Sequence, residues 1–205
     1  QQEASNKLGF GASRTMRIAQ KLYEGVNIGS ETTGLITYMR TDGVQLSSQA
    51  INELRKEIIN RHGKDYIPQI PRVYKSKAAN AQEAHEAIRP TSISRDPEDM
   101  SQYLDTEQLK LYELIWKRTI SSQMQSAELD ETSADISNKD KTIVFRANGS
   151  QVRFPGFFIY RDRNDDKILP NLVENENVNL EKADGEQHFT QPPSRYTDAS
   201  LIKKM

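Results

Sequence analysis

Asp105-Thr106-Glu-Gln-Leu109-Lys-Leu-Tyr112-Glu-Leu-Ile115-Trp116-Lys-Arg-Thr119-Ile120, followed within a dozen residues by Thr132-Ser-Ala134-Asp-Ile136, marks a change of period along the chain. In the first run Leu109, Tyr112, Ile115, Trp116, Thr119 and Ile120 recur at three- and four-residue spacing, which predicts an amphipathic helix with Thr106 as its N-cap. In the second run apolar and polar residues alternate, the period of a strand. Ile143, Phe145 and Ala147 continue that alternation. Asn148-Gly149 predicts a hairpin turn, with Val152 and Phe154 resuming beyond it. Phe157–Tyr160, Lys167–Leu169 and Val178–Leu180 read as further short strands. The switch of period near Gln125 predicts an α+β fold. Residues 1–124 form a mainly helical unit, 125–190 a β-rich segment, and 191–205 the start of a further domain beyond a Pro192-Pro193 hinge.

Upstream, Gln1 to Leu8 reads as a short helix broken by Gly9-Phe10-Gly11. Ser13 is the expected cap of a second helix, with Met16, Ala19, Leu22 and Tyr23 on one face and Gly25 closing it. A polar, Gly-containing loop over Val26–Thr33 leads to a short strand, Gly34–Met39, and a turn at Arg40-Thr-Asp-Gly43. Ser47 or Ser48 caps a helix whose stripe is Ile51, Leu54 and Ile58, ending at His62-Gly63. Lys64–Tyr74, with Pro68 and Pro71, is expected to be irregular. A short helix over Gln82–Ile88 is expected to stop before Pro90.

The 205 residues are 35% hydrophobic and 28% charged, with no cysteine. That excludes disulfide scaffolds, thiolate nucleophiles, zinc fingers and iron–sulfur sites. The histidines, His62, His85 and His188, are too dispersed for a local metal motif. No apolar run reaches the roughly 20 residues of a membrane helix and no signal segment is visible, so the expectation is no membrane partner and a cytoplasmic location. Net charge is −1, but residues 1–95 carry 14 Lys/Arg against 9 Asp/Glu, and residues 96–205 carry 14 against 20. A basic half joined to an acidic one hints at nucleic acid on one side.

Two polar clusters could carry chemistry. In Ile36-Thr-Tyr38-Met-Arg40-Thr-Asp42, an extended backbone would project Tyr38, Arg40 and Asp42 to one side. A phenol titrates near ~10 and needs a neighbouring cation to act as a nucleophile; an arginine there also holds phosphate oxygens. The plainer reading is an aromatic strand residue beside a surface charge. In Gln82-Glu-Ala-His85-Glu-Ala-Ile-Arg89-Pro90-Thr91, helical spacing would place Gln82, His85 and Arg89 on one face suited to an anion. The plainer reading there is a solvated helix in which Glu86 offsets Arg89 or His85.

Taken together, these two clusters resemble the bacterial type IA DNA topoisomerases. The flanking Gln1-Gln-Glu-Ala-Ser, Arg14-Thr-Met-Arg-Ile-Ala-Gln-Lys-Leu-Tyr-Glu24 and Gln191-Pro-Pro-Ser-Arg-Tyr-Thr-Asp-Ala-Ser-Leu201 extend the likeness end to end. The resemblance implies that Tyr38 attacks a single-strand phosphodiester and keeps the 5′ phosphate. It implies Arg40 and His85 at the scissile phosphate, and DNA contacts from Arg40, Gln82, Arg89 and Arg195. It also implies single-stranded DNA as partner and Mg²⁺ in the whole enzyme, held by a Toprim domain whose Asp-x-Asp cluster this sequence does not contain. Residues 125–190 would belong to the arch that opens for strand passage. A chain carrying the tyrosine without the Toprim half is expected to be inactive alone and to leave Tyr38 exposed. The sequence also admits a non-covalent single-stranded DNA-binding module, or a structural interaction unit.

Overall fold

The computed structural model describes residues 1–74, 85–161 and 166–204. Its first two helices are α1 (Gln2–Leu8) and α2 (Ala12–Glu24), separated by Gly9 in the left-handed region at φ 67°. Gly11, not Ser13, is the N-cap of α2. No side chain caps that end, and Thr15 instead turns its hydroxyl back to the Gly11 carbonyl at 3.1 Å. The expected loop that follows is a small antiparallel hairpin of β1 (Val26–Asn27) and β2 (Thr32–Thr33).

Ser47 caps α3 (Ser48–His62), accepting the Ala50 N–H at 3.3 Å. A 3₁₀ turn at Lys64–Tyr66 follows, and the chain is otherwise irregular to Tyr74. After α4 (Pro97–Met100), α5 runs from Thr106 to Ser122. Its cap is Asp105, one residue earlier than Thr106: the carboxylate accepts the N–H groups of Glu107 and Gln108, and Gln108 reaches back to the Asp105 N–H. A carboxylate at this position also faces the positive end of the helix dipole, which favours it over the threonine hydroxyl.

The core lies between α2, α3, α5 and the Leu35–Met39 segment. Leu22, Leu35, Ile58, Tyr112, Ile120 and Met124 are completely buried. Trp116 is buried as its place on the apolar stripe demands, and its indole N–H donates to the Ile93 carbonyl at 2.9 Å. The Tyr112 hydroxyl donates to Arg95 O at 2.7 Å, and burial pushes this phenol well above its ordinary value. Arg61 ties α3 to the start of α4 through Glu57 and Asp96 and lies over the Trp116 ring. Buried Gln123 is satisfied by both backbone groups of Arg72.

Beyond α5 the fold is a single antiparallel ribbon of β3 (Glu128–Ser137) and β4 (Val144–Phe154). The alternating residues meet across it, Ala134 opposite Ala147 and Ile136 opposite Phe145. The turn, however, is at Lys139–Thr142, where Asn138 accepts the Ile143 N–H at 3.0 Å, and not at Asn148-Gly149. Gly149 pairs with Thr132 within the ribbon. A Cβ there would lie 2.8 Å from the Lys167 carbonyl, so its glycine serves a close backbone approach.

Of the other expected strands, Phe157–Tyr160 lies in a 3₁₀ turn over Gly156–Tyr160 that returns Phe157 and Tyr160 to the core. Lys167–Leu169 contributes one bridge, Lys167 to Ser150, and Val178–Leu180 is an exposed irregular stretch. Residues 162–165 lie outside the described residues. The chain then returns, and α6 (Asp198–Lys204) packs on α1 with Ala199 buried. No helix among the described residues is long and apolar enough to cross a membrane.

Candidate active site

Tyr38 sits on a short stretch of chain zipped between two others. The expected strand Gly34–Met39 reduces to one bridge, Ile36 opposite Pro90, closed by Thr37 N–H to Arg89 O and Thr91 N–H to Leu35 O. Leu35 N–H donates to Leu22 O at the end of α2, at 2.7 Å, while Thr37 N–H donates to Arg89 O at 2.9 Å. The Thr37 hydroxyl bonds Ala87 O at 2.9 Å and lies at the same distance from the Arg89 N–H. Leu35 and Ile36 before Tyr38, and Met39 after it, are buried. The backbone on both sides is thus anchored while the Tyr38 ring stays 41% exposed.

Two aromatic neighbours frame that ring. Tyr23, from the last turn of α2, meets it edge-on at a centroid distance of 5.4 Å. His85 lies at 6.0 Å on the other chain segment. Two glycines make these approaches feasible. A Cβ on Gly34 would stand 2.5 Å from the Tyr23 carbonyl, and one on Gly43 would stand 2.2 Å from the His85 carbonyl. Neither position accepts a side chain without moving the backbone that carries a neighbour of Tyr38.

Residues 85–89 are irregular and bent rather than helical, so His85 and Arg89 do not share a helix face. The turn is prevented because this segment spends its backbone groups on others: Ala87 N–H donates to Gln45 O, and the Ala87 and Arg89 carbonyls serve Thr37. Gln82 and the start of the expected helix lie outside the described residues. Arg89 is bound to Glu86 through Nε and Nη2, at 2.8 and 3.1 Å, and to the Pro90 carbonyl through Nη1 at 2.9 Å. Glu86 also accepts the Ser47 N–H, at 2.8 Å. Burial pushes the Glu86 carboxyl up, but hydrogen bonds from Arg89 and Ser47, with the Arg89 charge, outweigh it and hold the group below its ordinary value.

The chain bends at Met39 and Arg40, so the strand alternation that would align Tyr38, Arg40 and Asp42 does not continue past Tyr38. Arg40 and Asp42 are both exposed. Arg195 lies in the exposed stretch before α6. The structure therefore gathers Tyr38 and His85, assigns Arg89 to an internal ion pair, and leaves Arg195 on a separate segment. Sequence reading passed over Tyr23 as a neighbour of Tyr38; its position on the helical face pointed to packing rather than to this ring. Among the described residues no three His, Cys, Asp or Glu side chains converge on a metal position. The arrangement offers an exposed phenol on an anchored backbone, an imidazole beside it and a solvent-facing guanidinium two residues on.

A family model described as DNA topoisomerase matches residues 1–205. DNA topoisomerase 1 of Rickettsia bellii is 54% identical over 212 residues, taking in 100% of this chain and 26% of that protein. DNA topoisomerase 1 of Xylella fastidiosa is 50% identical over 216 residues, again 100% of this chain and 26% of the relative. Full-length topoisomerase I from Thermotoga maritima superimposes with a TM-score of 0.83 at 36% identity, covering 100% of this chain and 32% of that structure. The chain spans about a quarter of the length of the curated relatives it matches. With the match running through Tyr38, His85 and every helix around them, this chain belongs to the DNA topoisomerase family.

Proposed function

We propose that this chain is the tyrosine-bearing portion of a type IA DNA topoisomerase, an ATP-independent enzyme that relaxes negative supercoils by cutting and resealing one strand. Tyr38 is the nucleophile. Its phenolic oxygen bonds to the scissile phosphorus, the bond from phosphorus to the 3′ oxygen breaks, and the phenolic proton ends on the released 3′ hydroxyl. The 5′ phosphate stays on the tyrosine. The reverse attack reseals the strand, and because the ester conserves the energy of the broken bond no nucleotide is consumed.

Arg40 and His85 would contact the scissile phosphate, Arg40 offsetting the charge that develops in the transition state. Gln82 and Arg195 would contact the strand farther out, while Arg89 acts through its Glu86 pair. Mg²⁺ would be held by Toprim residues outside this sequence, residues 1–124 would carry the tyrosine, and 125–190 would form part of the arch. The whole enzyme would work in the bacterial cytoplasm on the nucleoid.

The observation that carries this reading is the Tyr38 ring, exposed on an anchored backbone with His85 at 6.0 Å. The test mixes this chain with a separately expressed Toprim-containing half, Mg²⁺ and a labelled single-stranded oligonucleotide. Label attached to this chain after denaturation, and lost in Tyr38→Phe, is the expected result. This chain alone forms no adduct. A reassembled mixture without an adduct would leave the non-covalent DNA-binding module as the reading.

A further inference from the structure

A groove of about 660 Å³ opens between α1, α5, the 3₁₀ turn after β4 and the segments that follow Tyr38 and His85. Gly43 and Ala87 stand on its rim. Through them it begins one contact from the site, since Gly43 abuts the His85 carbonyl and His85 neighbours Tyr38. Its lining is cationic: Lys7, Arg72, Lys110, Lys117, Arg118 and Arg161 against Glu3 and Glu113.

Arg161 lies over the Phe157 ring at 5.2 Å, and the other five cations divide into two kinds. Lys117 pairs with Glu113 at 2.6 Å and Arg118 with Glu3 at 3.2 Å. Arg72 is committed to the Met124 carbonyl and the Ser126 hydroxyl. Among the described residues Lys7 and Lys110, both exposed, have no ion-pair or hydrogen-bond partner. Tyr74 also lines the groove; its hydroxyl donates to Ser122 O at 2.8 Å while the residue stays 43% exposed. A ring tethered by its hydroxyl and open to solvent is a platform for a base, and unpaired lysines beside it suit phosphates.

We propose that this groove is a second contact surface for single-stranded DNA, apart from the scissile-phosphate site, with Lys7 and Lys110 on the backbone and Tyr74 stacking on a base. The choice of DNA as the occupant rests on the topoisomerase reading; the surplus of positive charge and the tethered ring argue for it independently. Contacts of this kind are indifferent to sequence, so the groove holds the strand without choosing where it is cut.

The test measures binding of this chain to a labelled oligothymidylate of about 12 nucleotides across a salt series. Lys7→Gln with Lys110→Gln is expected to weaken binding about tenfold at low salt. It is also expected to flatten the slope of log affinity on log salt by about 1.4, two contacts at about 0.7 each. Tyr74→Ala is expected to weaken binding about tenfold with the slope unchanged, and Tyr74→Phe to retain affinity. Lys56→Gln, on exposed α3 surface outside the groove, is the charge control. No binding by the unsubstituted chain, or a double variant indistinguishable from Lys56→Gln, would overturn the proposal. The adduct assay run beside it separates the two readings. An adduct at Tyr38 with indifferent lysines sinks the groove alone, and groove binding without an adduct sinks the nucleophile alone.

Discussion

The Arg89 guanidinium grips both oxygens of Glu86, and the same carboxylate receives the Ser47 N–H at the start of α3. The chain that carries His85 is thereby fastened to a helix nearly forty residues earlier, and both partners are partly covered, the Arg89 side chain 17% and the Glu86 side chain 28% exposed. Glu86→Ala would strand Arg89 and release the Ser47 N–H. We expect a loss of about 1–3 kcal/mol in urea unfolding, and a lower adduct yield in the reassembled mixture because His85 loses its support. Glu86→Gln, which keeps an acceptor for Ser47, is expected to fall between. Unchanged stability in both variants would show the clamp to be idle.

Gly43→Ala places a methyl group 2.2 Å from the His85 carbonyl. The backbone of one segment must yield, at about 1–3 kcal/mol for forced overpacking. The movement occurs beside His85, so adduct formation is expected to fall by more than the loss of folded protein accounts for. Gly185→Ala, with nothing near its Cβ position, serves as the control. Equal adduct yields from the two variants would count against a steric role for Gly43.

His62 provides a pH response. Its Nε2 lies 2.7 Å from the Tyr160 hydroxyl, and burial, reinforced by the Arg61 charge, holds the imidazole below its ordinary value. Below the unfolded value of about 6.5 the unfolded chain binds the proton more readily than the folded one. Stability present at pH 7.5 is therefore lost as the pH falls through about 6.5 toward the lower folded value. Unfolding free energies measured between pH 5.5 and 7.5 should decline toward acid in the unsubstituted protein and decline less in His62→Gln. Parallel profiles would remove His62 from the account.

Gly149→Val tests the reassignment of Asn148-Gly149. Its side chain collides with Lys167 O and Leu169, so the bridge between Ser150 and Lys167 should open while the helical core is untouched. Hydrogen exchange is expected to quicken at the Ser150 and Lys167 amides, which bond each other's carbonyls at 2.8 and 3.0 Å. Protection at Leu22 and Ile120 should stay as it was. Collapse of the whole fold would mean that the contact matters beyond the ribbon.

The helices were legible because each is specified locally. The apolar stripe of α5, the Ser47 cap and the glycines after α1, α2 and α3 act within a few residues of themselves. The cap of α5 was misplaced by one residue because Asp105 and Thr106 are both competent caps and only the capping-box geometry separates them. What failed depends on distant partners. Asn148-Gly149 has turn chemistry, but a neighbouring segment uses the missing side chain. The segment after His85 has helical composition, yet its backbone is claimed by Thr37 and Gln45. An ion pair at Glu86 was expected with Arg89 or His85 on a helix; it forms with Arg89, on a segment that is not helical. Tyr38 and His85, forty-seven residues apart, were joined only by their likeness to known motifs, since no local rule brings two such rings together.

The β3–β4 ribbon is pinned firmly at its root. Gln125 N–H bonds Tyr66 O at 2.7 Å, Phe157 N–H bonds Gln125 O at 3.0 Å, and the rings of Tyr66 and Phe154 lie 4.9 Å apart. Gly156, at φ 47°, has no room for a side chain against Gln125 and Ser126. From that root ten paired residues reach outward about 33 Å at the usual rise per residue. Lys167 holds the ribbon a second time, bridging Ser150 partway along β4, so it is fastened at two places rather than one. The lever arm that can swing without breaking a contact to the rest of the chain is therefore shorter than the ribbon, running from Ser150 outward to the Lys139–Thr142 turn.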